Sequence, residues 1–233
     1  MRQLFKLTLL LLLSFSVYAS PPLSYRAKYS VNADGIPMGE MWRILENNDD
    51  KLELKATMKT TGFVALFKKV RVEETSQMLW DEKRNAIPLG YHYKNVTNGK
   101  TQEERVSFNY AANKATSNYR NKITEYDYQG EFDKLSFQIN LAESVRRGEK
   151  EITFNVFDKG EIRDYQFKVV GRDKIKVPAG SFNVIEVERI SSNSDRITRF
   201  WCATERDYMM VKITQDDGDH TITSEMVSYE LAE

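Results

Sequence analysis

A chain of 233 residues with 34 basic and 34 acidic side chains has no excess charge to steer it toward nucleic acid or an anionic surface. Its single cysteine, Cys202, excludes an internal disulfide, so the fold must be held by hydrophobic burial, for which twelve Tyr and twelve Phe are available. The only histidines, His92 and His220, lie far apart in the chain and no G-x-S-x-G elbow accompanies them, so neither metal nor nucleophile chemistry has a recognisable motif.

The first nineteen residues, MRQLFKLTLLLLLSFSVYA, set Arg2 and Lys6 ahead of an apolar run from Leu7 to Leu13 and end with Val17 and Ala19 at the small-residue cleavage positions. This predicts a secretory signal peptide cleaved after Ala19 and a periplasmic protein. The run is shorter than the ~20 residues of a membrane helix and has no counterpart downstream, so no integral membrane span is expected. Ser20 stands where a lipoprotein would need cysteine, and no lipid anchor is expected. Residues 20–233 read as a single β-rich domain, slightly acidic once Arg2 and Lys6 are removed.

From Ser24 onward the dominant period is two. Tyr25, Ala27, Tyr29 and Val31 alternate with Arg26, Lys28, Ser30 and Asn32, and Leu52, Leu54, Ala56 and Met58 alternate with Glu53, Lys55, Thr57 and Lys59. Turn signals separate such stretches at 32–35, 47–50, 98–99, 158–160 and 216–218. About a dozen antiparallel strands are predicted, at the spacing of a curved sheet or half-barrel.

Two segments break the rhythm. GFVALFKK, residues 62–69, runs five apolar residues without alternation before Lys68 and Lys69. It reads either as a buried strand or strand bend, or as an apolar lip at the mouth of the sheet that touches lipid, membrane surface or a partner. Over residues 133–150, Leu135, Ile139, Ala142 and Val145 recur at three and four while Phe137 and Leu141 widen the stripe. One long amphipathic helix over 133–147 is predicted, capped by Asp133, closed by Gly148, and packed on the concave face of the sheet.

Further on, VVGRDKIKVPAGSFNVIEVERI (169–190) reads strand, Pro-Ala-Gly turn, strand, and TRFWCATERDYMMVKI (198–213) follows. A Gly-containing turn before a Phe strand (Gly180, Phe182), a Trp-x-Ala with an acidic turn and Tyr (Trp201, Ala203, Asp207, Tyr208), and a helix opened by Asp-x-Leu-Ser (Asp133, Leu135, Ser136) together resemble the exported bacterial proteins of domain of unknown function family 3108. The resemblance spans most of the chain and implies an exported β-rich fold without assigning an activity. It makes Asp133, Ser136, Gly180, Phe182, Trp201 and Tyr208 structural motif residues. Cys202 stands where an aliphatic residue is usual, which argues for packing, and Met210 where proline is usual. A looser, fold-level similarity links a curved sheet under a helix to the periplasmic lipoprotein carriers, and indicates where a ligand would sit.

The remaining chemistry is sparse. DDGDH, residues 216–220, lacks the ligand spacing of a calcium loop and reads as a hairpin turn. Adjacent acids such as Glu73-Glu74 and Glu103-Glu104 point to opposite faces of a strand rather than across a cleft. The aromatic stretch 117–129 could touch a sugar. The leading expectation is a non-enzymatic protein, without cofactor or metal, that binds an apolar or amphipathic, lipid-like ligand between sheet and helix. Phe63, Leu66 and Phe67 are its candidate lining residues at the mouth, and Leu135, Phe137, Ile139 and Leu141 on the helix. A structural or adaptor protein with a filled core, binding another envelope protein, is the alternative; an enzyme dependent on His92 or His220 comes third. Nucleic acid is not expected as a partner.

Overall fold

In the computed structural model, which describes residues 20–190 and 196–231, the two-residue rhythm becomes one sheet of fourteen antiparallel strands. The signal peptide expected at 1–19 lies outside the described residues. In chain order the strands are β1 (Tyr25–Ala33), β2 (Ile36–Asn48), β3 (Lys51–Thr60), β4 (Val70–Trp80), β5 (Ala86–Thr97), β6 (Lys100–Asn109), β7 (Lys114–Tyr119), β8 (Lys122–Asp127), β9 (Glu151–Asp158), β10 (Glu161–Val177), β11 (Gly180–Ile190), β12 (Ile197–Ala203), β13 (Met209–Asp216) and β14 (Thr221–Leu231). The aromatic stretch 117–129 is not one strand but a hairpin. Arg120 and Asn121 adopt φ of 52° and 66°, the left-handed pair that a two-residue turn between twisted strands demands.

Across the sheet the order is β8-β7-β6-β5-β4-β3-β2-β1-β14-β13-β12-β11-β10-β9, so strands consecutive in the chain are neighbours and β1 meets β14 in the middle. Short turns of the Asn-Gly and Asp-Gly kind, as at Asp34-Gly35 and Asn98-Gly99, produce this meander. The sheet curls but does not close: β8 and β9 are its edges and do not pair.

Side chains span the gap instead. Glu104, on β6, is 1% exposed, and its carboxylate accepts the backbone N–H groups of Lys159 (3.1 Å) and Gly160 (2.8 Å) in the β9–β10 turn. The Tyr126 hydroxyl donates to the Gly160 carbonyl at 2.6 Å, and the Phe157 ring meets Phe108 and Tyr126 edge-on. The free edge of β9 is occupied between Asn155 and Phe157 by Phe132, whose N–H donates to Asn155 and whose carbonyl accepts from Phe157. A bare strand edge would otherwise template pairing with another chain.

The helix α2 runs Ser136–Arg146 and is eleven residues long, shorter than the rod expected over 133–147. Residues 133–135 form its cap. The Asp133 carboxylate accepts the N–H groups of Leu135 (2.8 Å) and Ser136 (2.9 Å), while the Ser136 hydroxyl accepts the Asp133 N–H at 2.9 Å. This reciprocal arrangement satisfies donors that no earlier helical turn can use. Gly148 terminates the helix with φ of 83°.

Nor is α2 amphipathic in the simple sense. Ser136, Asn140, Glu143 and Ser144 are buried with Phe137, Ile139, Leu141 and Val145. Asn140 brackets Ala86 at the start of β5, accepting its N–H (3.0 Å) and donating to its carbonyl (2.9 Å). Glu143 receives Arg84 through two N–H···O contacts of 2.7 and 3.2 Å. The polar positions of the stripe thus have partners inside the curl, and the helix is enclosed on nearly all sides. Phe137, Leu141 and Val145 pack with Phe154, Phe167 and Phe200 of one half of the sheet, while Leu135 and Ile139 pack with Leu54 and Met78 on the other and with Phe157 of β9, which reaches across the seam.

The Pro178-Ala179 corner joins β10 to β11, and Gly180 closes it at φ of 141°, where a side chain would strain the backbone. Its tip reaches β14, where the Ala179 N–H donates to the Met226 carbonyl at 3.0 Å, with Phe182 buried behind it. The corner is also a latch.

The reading of 62–69 as a buried strand is overturned. The segment carries a one-turn helix, α1 (Val64–Phe67), with Phe63, Leu66 and Phe67 exposed by 74, 74 and 71%. Thr60 pinches the loop off the sheet, its hydroxyl donating to the Lys68 carbonyl (2.9 Å) and accepting the Val70 N–H (3.0 Å).

Replacing Glu104 with Ala leaves the Lys159 and Gly160 amides without a partner and opens the seam. The expected cost is about 2 kcal/mol, read as a drop of about 4–8 °C in Tm by calorimetry for a chain of this size. An unchanged Tm would remove Glu104 from any closing role.

Candidate ligand-binding chamber

The inward face of the sheet carries more than apolar residues. On β1 to β4, Val31, Met41, Arg43, Ala56, Met58 and Glu74 share the alternation of the core, and from the other half come Tyr165, Arg189, Thr198, Phe200, Ile213 and Ile222. With Leu135, Phe137 and Gln138 of the helix entry they enclose a space of about 440 Å³. Arg43, Leu135 and Phe137 are buried at its depth, whereas Lys159, Arg196 and Ile222 are exposed. The chamber therefore opens at the end of the sheet that carries the β1–β2, β3–β4, β9–β10 and β13–β14 connections. Helix α1, which links β3 to β4, stands at that same end.

Charge inside the chamber is unevenly paired. Lys134 lies 2.5 Å from Asp158, which also accepts the Tyr165 hydroxyl at 3.0 Å. Burial pushes the Asp158 carboxyl up, but the Lys134 ammonium and the Tyr165 hydroxyl outweigh it and hold the group below the usual carboxylate range. Burial likewise pushes the Tyr165 phenol up to about 12, with the Asp158 charge adding to it. Glu74 accepts the Tyr91 hydroxyl at 3.0 Å, and burial raises its carboxyl despite the nearby Lys134 and Arg43. The Arg43 guanidinium donates to the neutral Gln138 Oε1 at 2.8 Å. That of Arg189 lies over the Tyr165 ring, 3.3 Å from its centroid, with Nε buried and lacking a hydrogen-bond partner. A smaller cavity of about 170 Å³ lies at the far side of the helix, lined by Leu23, Tyr25, Ile139, Ala142, Tyr208 and Leu231; Arg43 and Gln138 border both.

Of the residues expected to line a ligand site, Leu135 and Phe137 border the chamber. Ile139 borders the smaller cavity, and Leu141, fully buried, packs in the core and borders neither. Phe63, Leu66 and Phe67 project at the mouth end without lining the chamber. The motif residues serve the framework: Asp133 and Ser136 cap the helix, Gly180 and Phe182 form the latch with Trp201 beside them, and Tyr208 lies under the Arg146 guanidinium, 4.8 Å away.

Sequence reasoning missed Arg43, Glu74 and Arg189. Each is a charged side chain, the kind ordinarily assigned to a wet face. The available signal was parity, since Glu74 shares its face with Ser76, Met78 and Trp80, and Arg43 with Met41 and Leu45.

The histidines stay apart. His92 on β5 pairs with Glu103 at 2.5 Å, and His220 in the β13–β14 turn pairs with Asp34 at 2.7 Å. Among the described residues no group of three or more His, Cys, Asp or Glu could hold a metal ion, and no helix is long and apolar enough to cross a membrane. The DDGDH stretch is a turn closed by its own Asp216 and Asp217 carboxylates. Cys202 is fully buried, and burial lifts its thiol to about 12.

Residues 24–227, which contain all but one of the strands from end to end and every residue named on the chamber wall, match the family model described as "Protein of unknown function (DUF3108)". The chain belongs to that family. Among solved structures, this DUF3108 chain is similar to a β-barrel-like protein of DUF1849 from Brucella abortus, with a TM-score of 0.64 over 92% of this chain and 100% of the other. At 11% identity the likeness is one of fold. Weaker matches are a Parabacteroides distasonis protein described as a lipoprotein (TM-score 0.35, 12% identity, 90% of this chain and 97% of the other) and a Bacteroides fragilis protein described as exported with a YmcC-like fold (0.36, 10%, 90% and 97%). No curated protein matches the DUF3108 chain.

Asp158→Asn leaves Lys134 charged and unpaired, and is expected to cost about 2 kcal/mol at pH 7, discounted from a fully buried pair because both groups retain some exposure. Since the folded carboxyl lies below its unfolded value, the stabilisation is present above that value and fades as pH falls through the folded one. The gap between wild type and variant in urea melts should therefore narrow below pH ~4; a gap that is constant with pH would show that the pair contributes nothing. Cys202 should resist iodoacetamide at pH 8 in the native protein and react once unfolded. Rapid native labelling would place the thiol outside the core.

Proposed function

We propose that this DUF3108 protein is a non-enzymatic binder of an amphipathic, lipid-like ligand, held inside the curled sheet on the mouth side of α2. The leader pattern at 1–19 makes the periplasm its proposed location. The observation that carries the reading is the unfilled 440 Å³ chamber, a volume within the ~300–1,000 Å³ range of small-molecule sites. Its wall mixes Val31, Met41, Met58, Phe200, Ile213 and Ile222 with a few polar groups, the composition that accepts an apolar body and orients a polar end. The exposed Phe63, Leu66 and Phe67 at the mouth, next to Lys68 and Lys69, suit a lip that meets a lipid surface during loading.

The same lip supports a second reading, an adaptor that recruits another envelope protein through α1. A photo-crosslinker at Phe67 would then trap one protein repeatedly in intact cells, and binding of small apolar molecules would be dispensable.

The ligand reading is tested with protein purified from its native envelope, extracted into organic solvent and analysed by mass spectrometry, alongside titration with the neutral apolar dye N-phenyl-1-naphthylamine. A co-purifying amphiphile and saturable dye binding are expected. Ala56→Trp, which fills the chamber from β3, should abolish both while Tm stays within a few degrees of wild type. No amphiphile and no saturable dye binding would end the proposal.

A further inference from the structure

The chamber holds more positive charge than it can neutralise. Five cationic side chains border it, Arg43, Lys134, Lys159, Arg189 and Arg196, against two carboxylates, Glu74 and Asp158. Asp158 is engaged by Lys134, and Glu74 is driven by burial toward its uncharged form. Arg196 has a loose partner in Asp217 at 4.0 Å, outside the chamber. With Lys159 exposed to solvent at the mouth, that leaves within the walls the guanidinium groups of Arg43 and Arg189, separated by β1, β14, β13 and β12, with no ion-pair partner among the described residues.

The two differ in what occupies their donors. Arg43 is anchored to Gln138 on the helix, so its orientation is fixed by the floor. Among the described residues Arg189 is held only by its stack on Tyr165, a ring itself fixed by the Tyr165–Asp158 hydrogen bond. Stacking fixes the plane of a guanidinium without using its N–H groups, and a planar fork presented that way matches the two oxygens of a carboxylate or phosphate. Removing a cation from water without a counter-charge is costly. A wall arginine kept in this state has the form of a site that awaits an anion.

We propose that the ligand is an anionic amphiphile whose carboxylate or phosphate headgroup is gripped by Arg189, with the unpaired Arg43 supplying further positive field. The apolar chain lies against Met41, Met58, Phe200, Ile213 and Ile222. This inference rests on the chamber reading above and adds the charge and chemical class of the ligand.

The experiment compares four probes on the full chain after delipidation: oleate, oleoyl lysophosphatidate, oleyl alcohol and inorganic phosphate, each titrated by calorimetry. Oleate or lysophosphatidate should bind at least about tenfold more tightly than oleyl alcohol, the ratio between the two acids naming the headgroup, and phosphate alone should bind weakly or not at all. Arg189→Met should erase most of the preference for the acids, a loss of about 10- to 100-fold, while leaving oleyl alcohol affinity unchanged. Arg189→Lys should restore part of it, and thermal unfolding checks that both variants fold. Equal affinity for oleate and oleyl alcohol, or equal losses for both in Arg189→Met, overturns the anion grip and leaves the chamber reading standing. Tight, Arg189-dependent binding of phosphate with no added affinity from the acyl chain also overturns the proposal, in favour of a small-anion site. Failure of every oleoyl probe and of the neutral dye removes the chamber reading itself.

Discussion

The structure depends on a seam that hydrogen-bonded strands do not make. A fourteen-stranded antiparallel sheet has two edges, and here they are brought within reach of each other without a ladder between them. One buried carboxylate, Glu104, replaces the missing rungs by accepting two backbone amides from the β9–β10 turn, and the Phe157 ring seals the join against Phe108 and Tyr126. Without that closure the inward face would be the hollow of an open sheet and no chamber would exist.

The helix acts from inside on the same constraint. It is short, yet its polar positions are committed, Asn140 to the Ala86 backbone and Glu143 to Arg84, while its apolar positions divide between the two halves of the core. It is thus fixed in rotation and depth, filling one end of the curl and leaving the other unfilled. The residues at its entry, Leu135 and Phe137, become the chamber floor because the Asp133–Ser136 cap sets where the first turn begins.

Strands and turns were legible in the sequence because one face of each strand is wet and the other dry, and that contrast writes itself as alternation at Tyr25–Val31 and Leu52–Met58. The helix was legible in place but not in character, since periodicity registers Leu135, Ile139 and Val145 and is blind to Asn140 or Glu143 being buried with partners. The chamber was not legible at all. Its distinguishing residues, Arg43, Glu74 and Arg189, are charged residues on inward positions, and only knowledge of what curls over them separates these from the solvated Arg26 or Glu53. The 62–69 run was ambiguous for the opposite reason: an apolar stretch reads alike whether it is covered or displayed, and it was the pinch at Thr60 that put Phe63, Leu66 and Phe67 in the open.

The pairing of β1 with β14 carries a consequence for how the molecule assembles. Hairpin after hairpin can zip as the chain emerges, but Ser30 and Glu225, partners across that central junction, are 195 residues apart. Until the last strand arrives, β1 is an unguarded edge and the two half-sheets are unjoined, the slow, non-local kind of step that limits folding rate and exposes sticky surface. A holding chaperone would be most useful to this protein in that interval, before the two half-sheets are joined.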